Sequence, residues 1–379
     1  MSIFEKQKLR LTNKSPVHIG SVEQKITPFE YIEHKRYVYH LSEEKLSEFL
    51  LGTKLLNLYL NRVQNEGHRF RIHAFLKEHN ISLSENKLLH LSNSRKAKLK
   101  TNALELTEYR PFIRDAFNKV YIPGTSVKGA IRTAILYHLL KEFKTKNPAG
   151  FSTQVEQRII KDINERKNKK FFFQWASKKW LEGFVLGNKA GSPNTDWLRM
   201  LHVSDAYPVS PIETIVIPIN ILKKENTWTY KKERSGKTTT IWVEAVLENT
   251  EFEFEVLWDN KLLEEFRRAN NKISLPDNLA NVLQVVSDCS KDVFNFEKNF
   301  LKDSQLQNWY NKNSANFRIG FGSGMISTTI AILLDPETRK KVRNYAGLNR
   351  GNDIAPKSRR VWNNNNTFIP LGWAVLEVV

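Results

Sequence analysis

Two glycine-bearing turns hold the residues best suited to chemistry on an anion. Tyr121-Ile-Pro-Gly-Thr-Ser-Val-Lys-Gly-Ala-Ile-Arg132 and Phe317-Arg-Ile-Gly-Phe-Gly-Ser-Gly324 both carry cations and neither carries an acid. Glycine lets backbone approach a ligand closely, and the amides at a helix start bind phosphate. In the first turn Pro123-Gly124 forces a bend, Thr125 or Ser126 can cap the helix that follows, and Val127, Ile131, Ala134 and Ile135 form its apolar stripe. Lys128 and Arg132 share another face. A lysine in a first helical turn opposes the macrodipole at a cost of about 0.3–1 kcal/mol unless an anion sits beside it. The two turns together read as a phosphate cradle.

Other chemistries fit the residues poorly. Gly124 and Gly129 have the spacing of a nucleotide-binding P-loop, but Ala130 and Ile131 stand where its Lys and Ser/Thr belong. Met325 occupies the third glycine position of a dinucleotide fingerprint begun at Gly320, and the segment before it reads as helix. Ser323 is no nucleophile elbow, with Phe321 and Met325 two residues away on either side. His18, just before Gly20, could act as a metal-free general acid or base on RNA, or could be a core or loop histidine held by hydrogen bonds. Ser204-Asp205 follows a strand, where the acid can contact substrate or, more simply, cap a turn. His68, His73, His79 and His90 lack metal-ligand spacing, so neither a metal nor another cofactor is expected.

Charge points to the partner. The 379 residues include 59 Lys plus Arg against 40 Asp plus Glu, a net charge of +19. Such an excess predicts a polyanion, foremost nucleic acid. Cys289 is the only cysteine, which excludes an intrachain disulfide and any Cys-rich zinc site. No apolar run approaches the roughly 20 residues of a membrane span. The expectation is a soluble protein of a reducing cytoplasm, with no membrane partner.

The elements that must position these turns follow from periodicity. Strands are predicted over Gln7–Leu11, Tyr37–Leu41, Tyr109–Asp115 and Lys119–Ile122, with helices from Ser42, over Leu55–Gln64 and over Phe70–Glu78. From Glu156 to Lys189 nine Lys or Arg face four acids, and Phe171-Phe-Phe-Gln-Trp175 and Trp180 either stack bases or form a small core of their own. Leu198–Val203 and Thr214–Leu222 read as strands, and Thr238–Leu247 with Phe252–Trp258 as a hairpin. Helices are predicted over Asn260–Asn271, Leu279–Gln307 and Ile326–Leu334. The stretch Arg339–Arg360, with eight Lys or Arg and one acid, is predicted to be a loop on polyanion or disordered without it. A strand over Leu371–Val379 ends the chain. The chain is long enough for two domains, and the predicted class is α+β.

In this order the motifs Leu11-Thr-Asn-Lys-Ser-Pro-Val-His-Ile-Gly20, Tyr121–Arg132, Val203-Ser-Asp205 and Arg318-Ile-Gly-Phe-Gly-Ser-Gly324, with the ending Pro370-Leu-Gly-Trp373, resemble the RAMP superfamily of CRISPR RNA-binding proteins. Within it they are most similar to the branch of the fifth Csm subunits of type III-A effector complexes. The resemblance spans residues 11 to 373, and the Tyr121 motif is its most specific part. It implies two ferredoxin-like, RRM-related modules with helical insertions: residues 1–197, carrying the basic, aromatic-rich insertion of about 141–195, and residues 198–379, carrying the Gly-rich loop. It further implies a non-catalytic subunit in antiviral defence that caps the 3′ end of the guide RNA and supports its maturation. Its neighbours would be chiefly the repeated RAMP backbone subunit and the small helical subunit, with a host nuclease as a further candidate partner. The contrasting possibility is a metal-independent repeat endoribonuclease using His18. Carried over by position, Ser126, Lys128 and Arg132 would contact guide phosphates and His18 and Gly20 would line the groove. Arg318, Gly320, Gly322, Ser323 and Gly324 would let backbone amides approach the strand.

Overall fold

Alternation of polar and apolar residues from Lys8 to Leu11 marks the first strand, β1 (Phe4–Asn13), which buries Leu9, Leu11 and Asn13 and turns Lys6, Lys8 and Arg10 outward. The computed structural model describes residues 3–23, 25–100, 106–165, 184, 196–269, 275–348 and 355–379. After β1 come the hairpin β2 (Tyr31–His34) and β3 (Tyr37–His40) and four short helices, α1 (Glu43–Gly52), α2 (Leu56–Glu66), α3 (Ile72–Glu78) and α4 (Glu85–Leu91). Ser42 precedes α1 as expected, but its side chain caps nothing. Strand β4 (Lys96–Leu99) follows, then the long helix α5 (Gly124–Lys146), α6 (Pro148–Phe151) and α7 (Gln157–Glu165). The segments Tyr109–Asp115 and Lys119–Ile122 are extended but pair only through isolated bridges, such as Gly20 with Phe112 and Ile122 with Ala206.

The second half supplies most of the strands: β5 (Leu201–Val203), β6 (Tyr207–Pro208), β7 (Ile215–Lys224), β8 (Trp228–Tyr230), β9 (Thr240–Ala245) and β10 (Glu251–Asp259). Helices α8 (Asn260–Ala269), α9 (Leu279–Phe300) and α10 (Gln307–Lys312) lead to β11 (Phe317–Arg318), α11 (Gly324–Thr328) and α12 (Pro336–Arg343). Strands β12 (Ser358–Asn364), β13 (Thr367–Ile369) and β14 (Trp373–Val378) complete the chain. The class is α+β, with ferredoxin-like antiparallel sheets and helical insertions. One sheet runs β11-β14-β1-β10-β5, with β6 also on β10; the other runs β13-β12-β7-β4-β3-β2, with β8 and β9 also on β7. Only β4 with β7 is parallel among the described strand pairs.

Three expectations need correction. The predicted hairpin does not exist: β9 pairs with β7 in one sheet and β10 with β1 in the other, so Val246–Thr250 carries the chain between sheets. Both runs alternate because each buries one face, a pattern that does not specify its partner. The Arg339–Arg360 stretch holds α12 and β12 rather than a loop, because Asp335 caps the helix from Glu337 N and Thr338 N and β12 buries Arg359, Val361 and Trp362. The segment before Gly320 is strand β11, paired with β14, rather than helix.

β1 bonds β10 and β14, and β4 bonds β7, so each sheet takes strands from both sides of residue 197 and no sheet is confined to 1–197 or 198–379. The largest core packs the inner face of the first sheet on α5 and α9; a second gathers β7, β12, Tyr310 and Trp373 around the other end of α9. The helices α1 to α4 close over their own small core. Most of the basic, aromatic-rich insertion, including Phe171, Trp175 and Trp180, lies outside the described residues.

Candidate nucleic-acid groove

Helix α5 begins where it does because nothing occupies the side-chain position of Gly124. A Cβ there would lie 2.3 Å from Val203 O and 2.7 Å from Ser204 O. The cap comes from across the sheet: Asp205 Oδ1 accepts the Gly124 N–H at 2.8 Å, the capping role its position suggested, whereas neither Thr125 nor Ser126 caps the helix. At 100° per residue Ser126, Gly129, Ala130 and Thr133 share one face of α5 while Lys128 and Arg132 lie opposite.

The Ser126 face looks into a groove of about 570 Å³. Its other walls are the His18–Lys25 loop, Arg110-Pro111 and the Gly320 loop. The structure thus brings together His18, Gly20, Ser126, Arg318, Gly320 and Ser323 of the predicted residues. Lys128 and Arg132 do not line it. The Lys128 ammonium donates to Leu201 O at 2.7 Å, and partial burial lowers its pKa. Arg132 pairs with Asp196 at 2.5 Å and lies over the Trp197 ring.

Arg318 stands behind the Gly loop as its brace. Only 8% exposed, it donates to Leu371 O, Ser327 Oγ and Gly322 O, covers the Trp373 ring at 4.6 Å and lies 3.8 Å from the Glu297 carboxylate. Gly320 (φ +82°) and Gly322 (φ +96°) adopt left-handed backbone against neighbouring chain: a Cβ on Gly320 would meet His18 O at 2.6 Å, and one on Gly322 would meet Leu371 Cβ at 2.8 Å. Gly324 (φ +69°) has open space around it. Buried Ser323 donates to Gly320 O at 2.7 Å. The Phe321 amide donates to His18 O, joining the two loops.

His18 is 1% exposed, edge-on to Phe112 and Phe321. Its Nδ1 lies 2.6 Å from Glu244 O, which can only accept, so the ring proton sits there and Nε2 is left as an acceptor. Burial lowers the pKa to about 4. The ring is therefore neutral near pH 7, unfit to donate a proton as a general acid. The Glu244 carboxylate organises the opposite wall by accepting from Phe112 N, Arg114 Nη2 and Thr214 Oγ1. Burial opposes its ionisation, but Arg114 and these donors outweigh burial and hold its pKa below the ordinary value.

Two cations were not singled out as site residues in the sequence. Arg110 and Arg360 lie over the Phe321 ring at 5.3 and 4.2 Å, and among the described residues no carboxylate pairs with either. Arg110 was hidden in a strand-like run and Arg360 in a stretch read as loop. By contrast, the outer face of the first sheet is neutralised by a ladder in which Lys6 pairs with Glu255 and Lys8 and Arg10 with Glu253. No group of three or more His, Cys, Asp or Glu among the described residues could hold a metal ion. No helix among them is long and apolar enough to cross a membrane.

The chain matches the RAMP superfamily over residues 10–323 and belongs to that superfamily. Among individual relatives, it is 26% identical over 262 residues to the Streptococcus thermophilus "CRISPR system Cms protein Csm5"; that match covers 66% of this chain and 63% of the relative's length. A chain of the cryo-EM structure of a Csm–crRNA–target RNA ternary complex of a type III-A system superimposes with a TM-score of 0.68 at 22% identity, covering 98% of this chain and all of that one. The crystal structure of T. onnurineus Csm5 gives 0.63, also at 22% identity, over 97% of this chain and all of that one. Both likenesses establish the fold.

Proposed function

We propose that this chain is a non-catalytic RNA-binding subunit of a type III-A CRISPR effector complex. It holds and caps the 3′ end of the guide RNA and supports maturation of the guide. Its neighbours are other Csm-complex subunits, chiefly the repeated backbone subunit and the small helical subunit. The observation carrying this reading is the groove where His18, Gly20, Ser126 and the Gly320 loop meet beside two guanidiniums that no described carboxylate neutralises. Membership of the RAMP superfamily and the Csm5 relative support it. His18, buried and neutral, serves as a wall of the groove.

Replacing Arg110 and Arg360 by Ala is expected to weaken guide RNA binding at least tenfold, because each charge-assisted contact to phosphate is worth about 1.5–3 kcal/mol. Replacing Lys128 and Arg132, which are occupied on the far side of α5, should change it much less. Undiminished guide retention in the Arg110→Ala/Arg360→Ala protein would sink the reading. Incubation with repeat RNA and EDTA should leave the RNA intact; cleavage that disappears in His18→Ala would make the protein a nuclease instead.

A further inference from the structure

Resting on the RNA-binding reading, we propose that His18 Nε2 is the group that tells ribose from deoxyribose in the groove, by accepting a hydrogen bond from a 2′-hydroxyl of the bound strand. The tautomer is set from behind: with Nδ1 2.6 Å from the Glu244 carbonyl oxygen, the ring proton is committed there and Nε2 can only accept. No donor among the described residues reaches Nε2, although the ring is only 1% exposed. A buried acceptor without a partner is costly, so the site favours a ligand that brings a donor. Gly20 keeps the approach open. It is exposed in the groove wall, and a Cβ there would stand 3.7 Å from Nε2, so a long branched side chain would close over the acceptor.

The surroundings select the hydroxyl of a nucleotide. Of the cations lining the groove, Lys25 pairs with Glu108 and Arg318 lies beside Glu297, which leaves Arg110 as the lining cation that no described carboxylate answers. Arg110 and His18 lie against the same ring, 5.3 and 5.6 Å from the Phe321 centroid. A neutral acceptor beside such a guanidinium matches a ribonucleotide, whose 2′-hydroxyl sits one carbon away from the carbon bearing the phosphodiester. A deoxyribonucleotide offers the phosphate without the donor. A stacked base is served less well: Phe321 is already engaged by the guanidiniums of Arg110 and Arg360, and α5 presents Ser126, Gly129, Ala130 and Thr133 to the groove. Burial, with a smaller push from Arg110, lowers the ring pKa to about 4, so the Nε2 lone pair is available at neutral pH.

The test uses the full chain and single strands of one sequence built on ribose, on 2′-fluororibose, which keeps the ribose pucker but has no donor, or on deoxyribose. Fluorescence anisotropy near neutral pH should show the ribose strand binding about tenfold tighter than the 2′-fluoro strand. His18→Asn, which keeps a donor toward Glu244 O but places no acceptor where Nε2 stands, should bring that ratio close to one. Gly20→Leu, which leaves His18 in place and covers Nε2, should do the same and reads the property should His18→Asn fail to fold. Equal affinity of the unsubstituted protein for ribose and 2′-fluoro strands would overturn the assignment and leave the RNA groove standing. A ratio that survives both substitutions would give the reading of the hydroxyl to another group, and an equal loss for both strands in His18→Asn would reduce His18 to a structural or base contact; either result overturns the proposal. Failure of the unsubstituted protein to bind any of the strands would overturn the RNA-binding reading itself.

Discussion

Glycine acts differently at positions five residues apart on α5. Gly124 faces carbonyls it would strike if it carried a Cβ, so Gly124→Ala should lower stability by about 1–3 kcal/mol, read from urea denaturation. Gly129 has nothing within 4 Å of that position and sits in a helix, so Gly129→Ala should raise stability by about 0.5–1 kcal/mol. Titration of His18 adds a pH dependence. Its folded pKa of about 4 lies below the unfolded value of about 6.5, so the unfolded chain binds the proton first and stability falls as pH drops through that window. From about pH 7 to pH 5 the His18 share is about 2 kcal/mol, and His18→Asn, which keeps a donor toward Glu244 O, should remove that share from the urea midpoints. The sequence marked His18, Gly20, Ser126 and the Gly loop, which meet at the groove, together with Lys128 and Arg132, which lie on another face of α5. The same periodicity that named the apolar stripe also set Ser126 and Thr133 apart from those two cations.

Among the elements, α9 is the strut between the Gly loop and β12. Its Glu297, 1% exposed, lies 2.6 Å from Arg359 Nε and 3.8 Å from Arg318, fixing the brace behind the groove and the strand that carries Arg360. Glu297→Gln leaves two buried guanidiniums without their anion and should destabilise the fold by about 3–5 kcal/mol, measured by chemical denaturation. Strand β10 and helix α9 could be read from the chain because each has a regular apolar face, and the start of α5 because Val127, Ile131, Ala134 and Ile135 form a stripe. The pairing of β9 and β10 could not, since nearness in sequence favours a hairpin and only the packing of two sheets decides against it. The role of β12 was hidden for another reason: Arg359 is buried against Glu297 and Arg360 lies on Phe321, residues far away in the chain.

For the whole molecule, a charge of +19 says little about where a polyanion lies until the paired cations are set aside. Lys6, Lys8 and Arg10 are answered on the sheet face, and Arg132 and Arg318 lie against acids inside the structure. Binding to single-stranded RNA should weaken steeply with salt, and the slope of log K against log salt should fall by about 0.7 for each groove cation removed. An unchanged slope in Arg110→Gln/Arg360→Gln would place the contacts elsewhere. Competition between RNA and DNA of equal length should favour RNA.

The His18 loop is secured at long range: Phe321 N–H reaches His18 O, Gly372 N–H reaches Pro16 O, and Trp373 N–H reaches Ser15 Oγ across 358 positions. A chain leaving the ribosome can build α5 early, but most of the first core waits for β10, α9 and β14, and the His18 wall is not braced until residue 373 has emerged. Bracing of that wall is therefore a late, non-local event in folding, because each of these bonds closes a loop of about 300 residues or more.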